Sequence, residues 1–146
     1  MDTIPRIKKR FFVSSFFNEN EVIGYETGLS ALNRIGLVSQ MPQKRCIATN
    51  LHMKRIPKGM QIEIRKPPIR VNADNFRYLQ ILDAIRELDM APVDTAKPVD
   101  VVRATVQKFA LETDQMILMA RKYYGQKTLV RTIDIMLEGS YESARG

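Results

Sequence analysis

Residues 60–66 read MQIEIRK, with Met60, Ile62 and Ile64 alternating against Gln61, Glu63 and Arg65. A period of two predicts a strand with one face covered, of the antiparallel kind. Pro67-Pro68 ends that strand or places it at a sheet edge, and Ile69-Arg70-Val71 offers a further short pairing segment. RCIATN (45–50) predicts a second short strand. Between the two lies LHMKRIPKG, whose Pro57 and Gly59 mark a turn; if strands 45–50 and 60–66 pair as a hairpin, Arg45, Lys54, Arg55 and Lys58 crowd one end of it. Upstream, ETGLSALNRIGLV has the helical period, with Leu29, Leu32 and Ile35 at spacing three. Thr27 suits its N-cap and Gly36 its C-cap. Leu37 can fold back over the last turn, and Pro42 forbids continuation.

From Asp74 the period changes. Phe76, Leu79, Leu82, Ile85 and Leu88 share a helix face. After a loop reaching Pro98, three shorter helices follow. The first, 99–111, uses Val102, Val106 and Phe109. The second, capped at Thr113 or Asp114, uses Met116, Met119, Ala120 and Tyr123 and ends at Gly125. The third uses Leu129 or Val130, Ile133, Met136 and Leu137 and ends at Gly139. At the other end, RIKKRFFVSSFF (6–17) predicts a strand or packed arm, with Phe11, Phe12, Phe16 and Phe17 as core. The expected class is α+β. A small antiparallel sheet has one helix before it and a unit of about four helices after it. A basic, aromatic arm occupies 1–22 and the domain proper 23–146.

Composition narrows the class without changing this outline. A 146-residue chain fits one domain and buries about 68–70% of its unfolded surface, so no staple is needed. Cys46 is the sole cysteine, which excludes an intrachain disulfide and suits a reducing compartment. The apolar run FFVSSFF is followed by Asn18-Glu19-Asn20-Glu21 without a cleavage-site pattern, and reads as neither export signal nor membrane span. A cytoplasmic protein with no membrane partner is expected.

Charge adds a direction. The formal net charge of +7 is uneven: residues 1–73 carry 13 Lys/Arg against 5 Asp/Glu, and residues 74–146 carry 10 against 11. Segment 44–70 holds Lys44, Arg45, Lys54, Arg55, Lys58, Arg65, Lys66 and Arg70, opposed only by Glu63. This set is the candidate contact for a nucleic acid or an acidic partner. Its bland reading is a solvated face that keeps the protein soluble.

Catalytic chemistry finds little support. His52 is the only histidine and has no orienting carboxylate nearby in sequence, so Cys46 reads as a small buried thiol and His52 as an exposed loop residue. Glu63-x-Arg65 puts an always-protonated Arg where a metal-dependent nuclease needs a base. No phosphate-binding glycine loop is present. Asp83, Glu87, Asp94 and Asp100 read as solvated faces or caps, and the methionines of the late helices as adaptable core. No cofactor, metal or catalytic residue is assigned.

The run Tyr25–Pro42, with Gly36, Leu37, Gln40 and Pro42, leads into a strand ending Thr49-Asn50. Together with IEIRK, LDAIRELD and ARKYYGQKTLVRTIDIML in that order, it resembles AbiEi-type antitoxins of bacterial abortive-infection systems over about 23–138. The resemblance implies a transcriptional regulator that counteracts a nucleotidyltransferase-like toxin. The usual N-terminal winged helix has no counterpart in the roughly 22 preceding residues, so operator-reading residues are not carried over. It implies the C-terminal antitoxin domain with a short arm, as a truncated protein or a stand-alone variant. As a contact DNA is favoured over RNA, and homo-oligomerisation is open. The alternative is a protein-interaction domain that docks an acidic partner without nucleic acid.

Overall fold

A computed structural model describes residues 14–52, 56, 59–88 and 97–138. The expectations for residues 6–13, Lys54, Arg55, Lys58, Asp94 and Gly139 fall outside these. The chain is α+β. After a helical turn at 14–16 comes an antiparallel pair, β1 (Phe17–Asn18) and β2 (Glu21–Val22). A three-stranded sheet combines β3 (Gly24–Glu26), β4 (Arg45–Thr49) and β5 (Ile62–Arg65) in that spatial order. Helix α1 (Gly28–Arg34) lies between β3 and β4 in the chain. Four helices follow the sheet: α2 (Phe76–Arg86), α3 (Pro98–Lys108), α4 (Thr113–Tyr123) and α5 (Gln126–Ile133), the last running into a π-helical turn at Asp134–Glu138.

Strand pairing departs from expectation at one place. β3 and β4 are antiparallel, but β4 and β5 run parallel, with Arg45 opposite Ile62 and Ile47 opposite Ile64. A period-two pattern reports an alternating environment and is blind to strand direction. The 12 residues 50–61 suffice for a crossover, so this connection is a crossover and closes no hairpin. Segment 69–71 joins no ladder. Asn50 takes that role, accepting from the Val71 N–H at 2.7 Å and donating to the Val71 carbonyl at 2.8 Å.

The helix-to-strand corner is built as its residues predict. Ile35 is the C-cap of α1, and Gly36 has φ +90°, which favours glycine. The Leu37 N–H reaches the Leu32 carbonyl at 2.8 Å and the Gly36 N–H reaches Asn33 at 3.1 Å, the paired bonds of a Schellman ending. Leu37 is fully buried. Asn33 then ties down the exit, its amide donating to the carbonyls of Val38, Ser39 and Gln40. Gly24 serves close approach: a Cβ there would lie 2.2 Å from the Ser15 carbonyl oxygen.

One main core packs α1, β4 and the four later helices around Leu32, Leu37, Leu79, Leu82, Ile85, Val102 and Met116. On the other face of the sheet a smaller cluster holds Ile47 and Ile62, with Phe16, Met60 and Ile64 against it. Phe17, expected as core, is 48% exposed; β1 belongs to a two-stranded pair separate from the main sheet.

Candidate binding site

Three adjoining grooves place much of the basic set on one track. The largest, about 850 Å³, lies between Leu29 of α1, the corner residues 38–44, and Cys46, Glu63 and Arg65 of the sheet. A second groove shares Arg65 and adds His52, Ile64 and Lys66, and a third shares Lys66 and ends at Arg70. Lys44, Lys66 and Arg70 are exposed and form no ion pair among the described residues. They therefore flank the β4–β5 pair, Lys44 just before β4 and Lys66 just after β5. His52 is exposed, as expected of a loop residue.

Two members of the set have internal partners. Arg45 is ion-paired with Glu26, which is only 5% exposed and also holds Arg34 at 2.9 Å. Arg65 bridges Glu63 at 3.1 Å and Glu87 at 2.9 Å. Burial works against its charge, but Glu87 and Glu63 outweigh it and hold the guanidinium above its ordinary value. Strand alternation accounts for this placement: Glu63 and Arg65 share the face of β5 opposite Ile62 and Ile64, which brings Arg65 to Glu87 just beyond α2.

Cys46 is 4% exposed, and its thiol donates to Glu63 Oε2 at 3.2 Å. Burial first, then Glu63, raises its pKa, so it is a poor thiolate. The same bond, with Arg65 behind it, lowers the Glu63 pKa. His52 lines a different groove from Cys46, whose thiol is engaged with Glu63, and no group of three or more His, Cys, Asp or Glu among the described residues could hold a metal.

A second polar cluster went unread in the sequence. Asp83 and Glu87, expected on a solvated face, are 2% and 9% exposed. Asp83 accepts hydrogen bonds from Tyr25 OH at 2.8 Å, from Thr27 Oγ1 at 2.6 Å and from Tyr124 OH, and Arg86 stands 3.7 Å away. Thr27 accordingly occupies the N-cap position of α1 without a side-chain cap bond. Burial first, and Asp83 second, push the pKa values of Tyr25 and Tyr124 well above the tyrosine range. The available signal was position: Asp83 lies one turn after Leu79 and beside Leu82, inside the apolar stripe. The cluster joins β3, α1, α2 and the α4–α5 junction.

No family model matches this sequence, and comparison with curated proteins and with solved structures gives no match either. No described helix is long and apolar enough to cross a membrane.

Proposed function

We propose that this chain is a non-enzymatic regulatory domain of the antitoxin kind, acting in the cytoplasm and contacting nucleic acid, DNA before RNA, through the basic track. The observation that carries the reading is the run of three grooves, the first two sharing Arg65 and the last two Lys66, whose linings include the exposed cations Lys44, Lys66 and Arg70. Flexible cations at both ends of a strand pair suit phosphates, whose contacts carry affinity without sequence. The resemblance to AbiEi-type antitoxins supports a regulatory role opposite a nucleotidyltransferase-like toxin. A second reading, docking of an acidic protein, draws on the internal pairing of Arg45 and Arg65, which leaves fewer charges for phosphates.

The test is binding of the full chain to a mixed-sequence DNA duplex across a salt series, beside a Lys44→Ala/Lys66→Ala/Arg70→Ala variant. Affinity should fall steeply with salt, and the variant's log–log slope should shrink by about one for each phosphate it no longer neutralises. Absence of binding at low salt, or a slope the variant leaves unchanged, would overturn the nucleic-acid reading.

A further inference from the structure

β5 is the outer strand of its sheet, and no strand among the described residues pairs with its far side. The ladder says which groups face outward. The Arg45 N–H bonds the Gln61 carbonyl, at 3.1 Å, in a parallel pair whose register sets Arg45 opposite Ile62. In such a ladder alternate residues turn to the partner, so Gln61, Glu63 and Arg65 face β4, while Ile62 and Ile64 direct N–H and C=O toward the open edge. An edge of this kind is a template for another strand.

We infer that β5 is a homodimerisation edge, pairing antiparallel with β5 of a second copy about a twofold axis at Ile64. The sequence Ile62-Glu63-Ile64-Arg65-Lys66 is self-complementary in that register alone. With Ile64 opposite Ile64 of the second copy, Glu63 meets Arg65 of the second copy and Arg65 meets Glu63 of the second copy. A register centred on Glu63 would oppose two carboxylates, and one centred on Arg65 two guanidinium groups. The Ile64-centred register also matches the main chain: outward-facing residues 62, 64 and 66 form the hydrogen-bonded pairs, and 63 and 65 form the close, non-hydrogen-bonded pairs in which side-chain charge counts most.

The surrounding surface agrees. Glu63 and Arg65 keep 47% and 35% of their side chains exposed despite their pairing within the chain, so both can turn to a second copy. On the opposite face Ile64 is half-buried beside Ile47, Ile62 and Met60. An Ile64–Ile64 contact would merge the two small apolar clusters across the axis. Pro67-Pro68 confines the pairing to 62–66 and prevents indefinite sheet growth. The product is a closed, isologous dimer with one continuous six-stranded sheet. The inference goes beyond the proposed contact with nucleic acid and does not depend on it.

Sedimentation equilibrium of the full chain over a concentration series tests this. The wild-type protein should form a reversible dimer. Glu63→Arg sets like charges opposite each other twice and should weaken it by about tenfold or more. Glu63→Arg with Arg65→Glu restores opposite charges and should recover it, with circular dichroism confirming that each variant folds. Hydrogen exchange gives a second readout, since protection of the Ile62 and Ile64 amides should grow with protein concentration. A monomer with those amides unprotected would leave the edge to another protein, and a monomer with them protected would mean that the chain covers its own edge. Either result overturns the inference, as does a dimer indifferent to Glu63→Arg.

Discussion

Two carboxylate clusters, one in the core and one at the sheet edge, use similar residues under opposite conditions. Asp83 is sealed between the sheet and the helices, where three hydroxyls and Arg86 satisfy it. Glu63 stands half in water beside the largest groove, held by a thiol and Arg65. A buried acceptor is strong because no water competes and costly if its donors are lost. A half-exposed pair is screened and contributes little to stability, which leaves it free to meet a partner. The core cluster therefore holds the fold, and the edge cluster is where binding can be changed cheaply.

The largest effect expected from this contrast is that of Asp83→Ala. It strands the hydroxyls of Tyr25 and Thr27 in the interior, leaves Tyr124 the longer bond to the Leu79 carbonyl at 3.3 Å, and should cost about 3–5 kcal/mol, much of a typical domain's stability. Asp83→Asn keeps one acceptor oxygen and should cost less, about 1–2 kcal/mol. Urea unfolding distinguishes them, and equal, small losses for both would show that the hydroxyls have other partners.

Alkaline unfolding comes next. Tyr25 and Tyr124 have pKa values raised in the folded state above the ordinary 10.0, through burial and then Asp83. Their contribution is therefore complete below about pH 10 and is lost as pH rises above it. Each should contribute a slope of up to ~1.4 kcal/mol per pH unit. Tyr124→Phe should flatten that limb by about half when unfolding is followed above pH 10.

These two clusters also mark what the sequence made legible. Period and punctuation were sufficient for the α1 corner, where Gly36, Leu37 and Pro42 each have a local backbone reason for their place. They were sufficient as well for the presence of α2 to α5, but not for every stripe position: Tyr123 and Leu137, expected against the core, are 38% and 48% exposed. Direction of pairing was not readable, since Ile62 and Ile64 alternate in the same way beside a parallel or an antiparallel neighbour. Nor was the fate of charges. Arg45 and Lys44 are adjacent and look alike in sequence, yet β4 carries Arg45 to Glu26 and leaves Lys44 in solvent. The partners of Asp83 lie 41, 56 and 58 residues away along the chain, beyond the reach of any local pattern.

Whether the clusters are energetically separate is a finer question. A polar path joins them, from Glu63 through Arg65 to Glu87 and then through Arg86 to Asp83. Its last two steps, at 3.8 and 3.7 Å, are ion pairs too long to be hydrogen bonds. A double-mutant cycle of Asp83→Asn with Glu63→Gln should therefore give a coupling energy below about 0.5 kcal/mol. A larger value would make the path a mechanical link between groove and core.

The smallest effect belongs to the acid limb. The folded-state pKa of Glu63 is lowered from the ordinary 4.5, by the Cys46 thiol first and Arg65 after it. Its stabilisation is present above pH 4.5 and is lost as pH falls through the lowered value. Glu63→Gln should flatten stability slightly below pH 4.5 and leave the alkaline limb, which belongs to the tyrosines, untouched. The same substitution removes the carboxylate that helps to keep the Cys46 thiol protonated, so Cys46 should react faster with a thiol reagent at mildly alkaline pH. Burial, the larger cause, remains, so the gain should be modest and Cys46 should still lag a free cysteine. If Glu63→Gln changed neither the acid slope nor the thiol rate, the hydrogen bond between the two side chains would not persist in solution. The edge cluster would then reduce to Arg65 and its carboxylates.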